Sequence, residues 1–464
     1  MDLILRNATV VDPVNKVHGI RDIGILDCSI AAIEETISGP ARQELDCAGK
    51  TIIPGVIDMH VHVTSSLGGH NGYAMIAKTG VTTAVDFAGT MEDIVENLPK
   101  LGCGLNLGCI DSVLPVPNGP NPDRQTISDF CDRTLELGAL GLKILGGHFP
   151  LTPEASRLAI EAANERKVMV AFHAGTTQQR SDIYGMREVV ELARGQRVLL
   201  AHINAYCRGK RYHYLEELRD AFTMLRENPN IISDSHLASM NGTMGTCEHG
   251  VPHDVITINC LELFGREPTE QGLASAILDG LVRVQGEIEG ENVLLQGDAA
   301  YRYWRSRETR TMVSFPANLP PVGAACVLER VTMGGDFLIQ MTSTDGGGIP
   351  RNNLIGRVLS LHHMGYLTLE EVVQKCSTAP ANAFGFHNKG HLGVGADADI
   401  TILDCECRQA VQSFALGREI MRDGILTGAG GCLMVGSQGV ANAKQKGLSY
   451  RVADVSSGML YRAI

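Results

Sequence analysis

The chain has a single tryptophan, only 5% aromatic residues, and no excess of positive charge among its 464 residues. Fifty-two acidic residues against 40 basic ones give a net charge of −12. A protein that holds nucleic acid needs a basic face to neutralise phosphates, so that class of partner is excluded. One stretch, YRYWRSRETR at 301–310, alternates aromatics with arginines. It reads as a solvated or subunit-contact segment, with an anion-binding loop as the sharper alternative. No apolar run is long enough to span a bilayer, so no membrane partner is expected. The opening MDLILRNATVVD lacks the basic, apolar and small-residue sequence of a signal peptide and reads as a strand. The 13 cysteines are odd in number and show no CxxC pair or finger spacing, which excludes a disulfide framework or zinc finger. Unpaired thiols without an export signal predict a cytoplasmic protein. No fixed-period repeat and no low-complexity tract are present.

What the chain does have is glycine, 52 residues of it, with 44% apolar and 20% charged residues. Those are ordinary values for a soluble enzyme with many tight strand-to-helix turns. The first 53 residues carry short alternating runs, LILRNATVVD, DIGILD and SIAAIEE, and similar runs return after residue 395 in GADADITILD and ALGREIMRDG. Both ends are expected to build one small β-sandwich, from 1–53 and 396–464, the second part including a C-terminal tail. Between them, 54–395 alternates strands and helices. Strands are expected at 56–63, 81–89, 105–111, 140–147, 168–175, 198–204, 230–236 and 337–347. Eight is the number a closed (β/α)8 TIM barrel requires. Amphipathic helices are expected at 153–167 and 181–195, started by Pro153 and stopped by Gly195. The stretch 237–336 between strands seven and eight is too long for a loop and is expected to hold helices and lid elements.

The chemistry gathers at strand ends. PGVIDMHVHV (54–63) ends in His-x-His, and the two-residue period of a strand puts His60 and His62 on one side of the backbone. Lys143 lies on strand four, His173 on strand five, His202 on strand six and Asp345 on strand eight. The C-terminal rim of a barrel would bring them to one spot. A strand-end histidine alone is more often a satisfied polar residue than a ligand, but five such residues on one rim point to a metal site. A lysine inside the apolar GLKILGG is costly to bury as a cation. It either pairs with a carboxylate or reacts with CO2 to give an N6-carboxylysine, an anionic ligand able to bridge two metals.

These motifs resemble the amidohydrolase superfamily, and within it the branch of dihydropyrimidinase/hydantoinase, dihydroorotase, allantoinase and isoaspartyl dipeptidase. The resemblance rests on PGVIDMHVHV, GVTTAVDFAG, FHAG, AHIN, STDGGG and the closing run 367–404. It implies that His60, His62 and Asp345 hold one divalent ion, that His173 and His202 hold a second, and that carboxylated Lys143 bridges them. Zinc is expected first, with manganese, iron(II) or nickel as alternatives. It further implies attack by metal-activated hydroxide on an amide or ureide carbonyl of a small molecule, Asp345 moving the proton, in a homo-oligomer, dimer or tetramer. His148 stands five positions after Lys143, where hydantoinases carry the tyrosine that supports the oxyanion, and is the second catalytic candidate.

The pattern departs from the cyclic amidases in three places: His148 itself, HAGT after strand five, and Gly346 after Asp345 where a histidine is usual. Substrate class therefore stays open between a cyclic amide or ureide and an isoaspartyl or N-acyl amino acid. A mononuclear deaminase and a non-catalytic scaffold on the same fold are the remaining readings. Lys143 counts against the first and the complete ligand set against the second.

Overall fold

The computed structural model describes residues 1–115 and 119–462, so the last two residues of the C-terminal tail lie outside the described residues. Both chain ends enter one hydrogen-bonded sheet of nine strands. At its centre, Leu3–Asp12 runs antiparallel to Val17–Leu26 and parallel to Thr51–Pro54. Thr51–Pro54 joins the two ends, because its other edge pairs antiparallel with Ile400–Asp404 in the register Ile53↔Thr401. Alternation turns Leu5, Val10, Ile23, Ile25, Ile52, Ile400 and Phe414 into one buried cluster.

The middle of the chain forms parallel strands at Val56–His62, Val81–Asp86, Asn106–Cys109, Gly141–Leu145, Met169–His173, Val198–Leu200, Ile231–His236 and Met341–Ser343. They pair in sequence order, and Gly346–Gly347, just beyond the eighth, pairs parallel with Val61 and His62 of the first. Strand three changes partners at Ile110. Its first half pairs with strand two and, on the other side, with Cys432–Val435 from the tail, while Asp111–Ser112 pairs with strand four. The tail therefore adds a parallel strand outside the first half of strand three, a pairing the sequence did not foretell.

Helices lie where periodicity and caps put them. In Pro153–Arg166 the Thr152 side chain accepts from Ala155 N at 3.2 Å, and Ala155, Ala159, Ile160 and Ala163 share the buried face. The expected strand 337–347 is shorter than predicted, and its first residues satisfy their backbone elsewhere. Leu338 N donates to Glu329 O at 2.9 Å, and the buried Lys375 Nζ donates to Ile339 O.

The 237–336 insertion holds the expected helices, Val255–Leu263, Glu270–Leu278, Gly297–Ser306 and Pro320–Leu328. It also holds a four-stranded sheet that was not expected, formed by Asn241–Met244, Met312–Phe315, Arg283–Ile288 and Glu291–Leu295. This unit has its own core around Trp304, which is fully buried and donates Nε1 to Gly245 O at 2.9 Å. The first six residues of the aromatic–arginine segment thus close the helix Gly297–Ser306, whose tryptophan sits in the insertion's core, while Arg305 pairs with Glu270.

Candidate active site

The C-terminal ends of the parallel strands converge on one narrow cavity of about 30 Å³, lined among others by His60, His62, His148, His173, His202, Arg208, Asp345 and Arg351. His60, His202 and Asp345 are all buried, and each offers a ligand atom within 4.8 Å of the others'. His62 Nε2 lies 3.0 Å from Asp345 Oδ1, and His60 Nε2 lies 3.3 Å from the same oxygen. The His173 ring stands edge-on to His202 with centroids 4.5 Å apart, and its Nε2 is 3.0 Å from Ser181 Oγ. Beneath them the His60 ring stacks on Phe87 at 4.2 Å, and Lys143 Nζ sits 4.8 Å from the centre of the same ring. His148 reaches the cavity from the loop after strand four, its ring 5.7 Å from His173.

The backbone pays close attention to these positions. His202 and Asp345 both adopt left-handed φ, 36° and 51°, at the ends of their strands, a strain that persists only where the surroundings enforce it. Gly347 has φ 83°, and a Cβ there would lie 2.2 Å from His62 O. A Cβ at Gly147 would lie 2.3 Å from His173 Nε2. Glycine at these two points is the condition for the histidines to occupy their places.

The sequence profile of the Amidohydrolase family matches residues 51–422, which takes in every one of these side chains. The chain belongs to the amidohydrolase family. It is 29% identical over 440 residues to a dihydroorotase of Streptococcus pneumoniae, covering 89% of this chain and 92% of that one. It is 25% identical over 441 residues to an allantoinase of Deinococcus radiodurans, covering 87% and 86%. Among solved structures, the N-acyl-D-glutamate deacylase of Bordetella bronchiseptica, complexed with zinc and a phosphonate inhibitor, superposes with a TM-score of 0.65 at 16% identity. It covers 93% of this chain and 98% of the deacylase.

Several groups that shape this amidohydrolase site have no counterpart among the residues read from the sequence. Asp234, fully buried on strand seven, accepts from His202 N at 2.8 Å and lies 3.4 Å from His60 Nδ1. His236, two residues on, faces Asp345 with Nε2 3.9 Å from Oδ2. Arg351 is buried and ion-paired to Asp345 through Nη2. Asp254, from the insertion, accepts from His148 Nδ1 at 3.2 Å. For Asp234 and His236 a signal existed: they repeat on strand seven the two-residue spacing of His60 and His62.

The charges are strongly biased. Burial pushes His60, His173 and His202 well below the usual imidazole range, so all three are neutral and able to offer a lone pair. Burial also brings Lys143 down to about 8, against the pull of Asp234, Asp345 and Asp86. Burial alone would raise Asp345, but Arg351 and the surrounding histidines hold it well below the ordinary carboxylate value. His148 goes the other way from the remaining histidines. Burial would lower it, yet the charge and hydrogen bond of Asp254 win and raise it, while Asp254 itself is lowered to about 2.

Proposed function

We propose that this amidohydrolase cleaves an amide C–N bond of a small molecule at a centre of two divalent ions, a cyclic amide or ureide being the first candidate. The observation that carries the reading is that His60, His202 and Asp345, all buried, offer ligand atoms within 4.8 Å of one another, with His62 Nε2 3.0 Å from the same carboxylate. Among the described residues His60 Nδ1, His62 Nδ1, His202 Nδ1 and Lys143 Nζ are also buried without a hydrogen-bond partner, at a cost of about 1–3 kcal/mol each. His60, His62 and Asp345 would hold one ion and His173 and His202 the other, with Lys143, carboxylated, bridging. The lowered pKa of Lys143 supports the last step, because only the neutral amine reacts with CO2. Zinc suits an imidazole-rich set.

When bound, the ions lower the pKa of a water towards neutrality and polarise the scissile carbonyl. The chain's own groups do the rest. Asp345, ionised in this setting, accepts the proton from the attacking water and returns it to the leaving nitrogen, a poor leaving group unless protonated. Arg351 fixes the carboxylate during the transfer. His148, whose protonated form Asp254 favours, would donate from Nε2 to the oxygen on which negative charge develops. An isoaspartyl or N-acyl amino acid is the second reading, favoured by Gly346, which stands where the cyclic amidases carry a histidine.

The same proposal takes the ring of eight parallel strands as a (β/α)8 barrel at 54–395. It takes the nine-stranded sheet as a small β-sandwich from 1–53 and 396–464. Among the described residues no helix is long and apolar enough to cross a membrane. A cytoplasmic homo-oligomer completes the reading, in keeping with 13 free cysteines.

The test is metal content after purification without chelator, together with a screen of hydantoins, dihydropyrimidines, ureides, N-acyl amino acids and β-aspartyl dipeptides. Two ions per chain and amide hydrolysis are expected. One ion with deamination would replace the reading by a mononuclear deaminase, and no ion by a scaffold.

A further inference from the structure

Arg208 follows strand six, six residues beyond His202, and lines the same cavity. It is more than nine-tenths buried, yet among the described residues no carboxylate pairs with it. Its Nε and Nη2 donate to Asn318 Oδ1 at 3.0 and 2.7 Å, and Nη2 donates also to Asn241 Oδ1 at 2.8 Å. Both acceptors are neutral amides. They fix the plane of the guanidinium without cancelling its charge, and Nη1 has no partner among the described residues. The frame is itself held: Asn318 Nδ2 donates to Met240 O at 3.2 Å, and Asn318 N to Ser239 O at 3.0 Å.

Arg351 on the same wall makes the contrast. It is equally buried but spends its charge on Asp345. A desolvated arginine left without a counter-ion is costly, and evolution has the cheap alternative of an acidic residue at 241 or 318. Asparagine at both positions keeps the cation oriented and unspent. Arginine's planar fork is suited to a carboxylate arriving from the cavity.

We infer that Arg208 anchors a carboxylate of the substrate, so that the molecule cleaved here is an anionic amide with its acid group at Arg208 and its scissile carbonyl at the histidine–Asp345 cluster. The inference rests on the reading of this cavity as the amide-cleaving site. It narrows that reading: neutral amides with the same scissile bond are poor substrates, and the acidic members of each substrate class are the good ones.

The test pairs compounds that share the bond and differ in the charge: dihydroorotate with dihydrouracil, hydantoin-5-acetate with hydantoin, and N-acetylglycine with N-acetylglycinamide. With the metal-loaded wild type, kcat/KM for the best acid is expected to exceed that of its neutral partner by about 10²-fold, the discrimination a buried charged hydrogen bond supplies. In Arg208→Met and Arg208→Gln that ratio should fall towards unity, and Arg208→Lys should keep part of it. A wild type that prefers the neutral partner, or a ratio that survives in Arg208→Met, overturns the inference and leaves the hydrolase reading standing. A calorimetric titration decides the matter without turnover, even where no compound is cleaved. The ratio of succinate to butyrate affinity should be at least tenfold higher for wild type than for Arg208→Met. An unchanged ratio refutes the anchor.

Discussion

Replacing Asp254 by Asn removes the charge that the insertion places beside His148. The carboxylate sits 3.2 Å from His148 Nδ1, and its charge and hydrogen bond favour the imidazolium. Asparagine is as good a helix N-cap as aspartate, so the bond from Ile256 N at 2.8 Å that starts Val255–Leu263 survives. What changes is the charge state of His148, together with the bonds that the same oxygen, Asp254 Oδ2, accepts from Thr243 Oγ1 at 2.9 Å and Met244 N at 3.3 Å. In the wild type the ring donates through Nδ1 to Asp254 and, only while protonated, through Nε2 to the oxyanion. As pH rises through its raised pKa the remaining proton stays on Nδ1 and Nε2 goes bare, so kcat falls. In the variant the amide NH2 donates to Nδ1, the neutral ring keeps its proton on Nε2, and a weaker, uncharged donor remains at every pH. A donor to a developing oxyanion is worth about 2.7–4 kcal/mol and the neutral form about half of that. The expected loss in kcat at neutral pH is therefore about 10- to 30-fold, with the alkaline limb of the pH–rate profile flattened. Stability should follow the same pair. The raised His148 contributes fully below its unfolded pKa of about 6.5 and the lowered Asp254 above about 3.9. Denaturant midpoints should thus separate wild type from Asp254→Asn most between roughly those two values. They should converge as pH falls through about 2, where Asp254 itself protonates, and as it rises past the raised His148. A variant with wild-type kcat and an unchanged alkaline limb would remove His148 and Asp254 from the reaction.

Three further substitutions address the metal centre. Lys143→Ala should leave a folded chain with little activity and under half the wild-type metal, partly rescued by acetate or propionate. Full activity without additive would make the lysine structural. Asp345→Asn should keep much of the metal and lose about 10²–10⁴-fold in kcat, since an amide cannot relay a proton. Loss of metal and fold together would mark Asp345 as chiefly a ligand. Gly147→Ala puts a methyl 2.3 Å from His173 Nε2. It should cost about 1–3 kcal/mol by overpacking and release about one ion per chain, whereas full occupancy would show that His173 yields without leaving its post.

The parts of this molecule that could be read from its sequence are those written with a period. Two-residue alternation located the strands, and strand ends located His60, His62, His173, His202 and Asp345, because all strands of a parallel set finish on the same side. Where the backbone finds partners outside the pattern, the reading stopped. Residues before Met341 are held by Glu329 and Lys375, and the tail strand Cys432–Val435 pairs with residues more than 300 positions earlier. The second set of groups, Asp254, Arg351 and Arg208, was hidden for a different reason. Each acts through a pairing across loops, and loop contacts carry no sequence period. Asp254 looks like any aspartate that caps a helix, which it also does.

That division has a consequence for how the reaction and its substrate are encoded. The histidines proposed as ligands sit on strands locked by the parallel core, where a displacement of any one would disturb its neighbours. Asp254, Asn241 and Asn318 belong to the 237–336 insertion, much of which packs around Trp304 in a core of its own, while Val322, Cys326 and Val327 of its last helix join the cores of the parallel strands. Through them the insertion bears on the charge of His148 and the orientation of Arg208, and through Met240 O, which accepts from Arg351 Nη1 at 2.9 Å, on the partner of Asp345. On the roles proposed for His148 and Arg208, change within that unit would alter which molecule is accepted and at what pH it is cleaved. The same arrangement explains why the ligand motifs point so plainly to a hydrolase and say so little about what it hydrolyses: chemistry and recognition are carried by segments under different packing constraints.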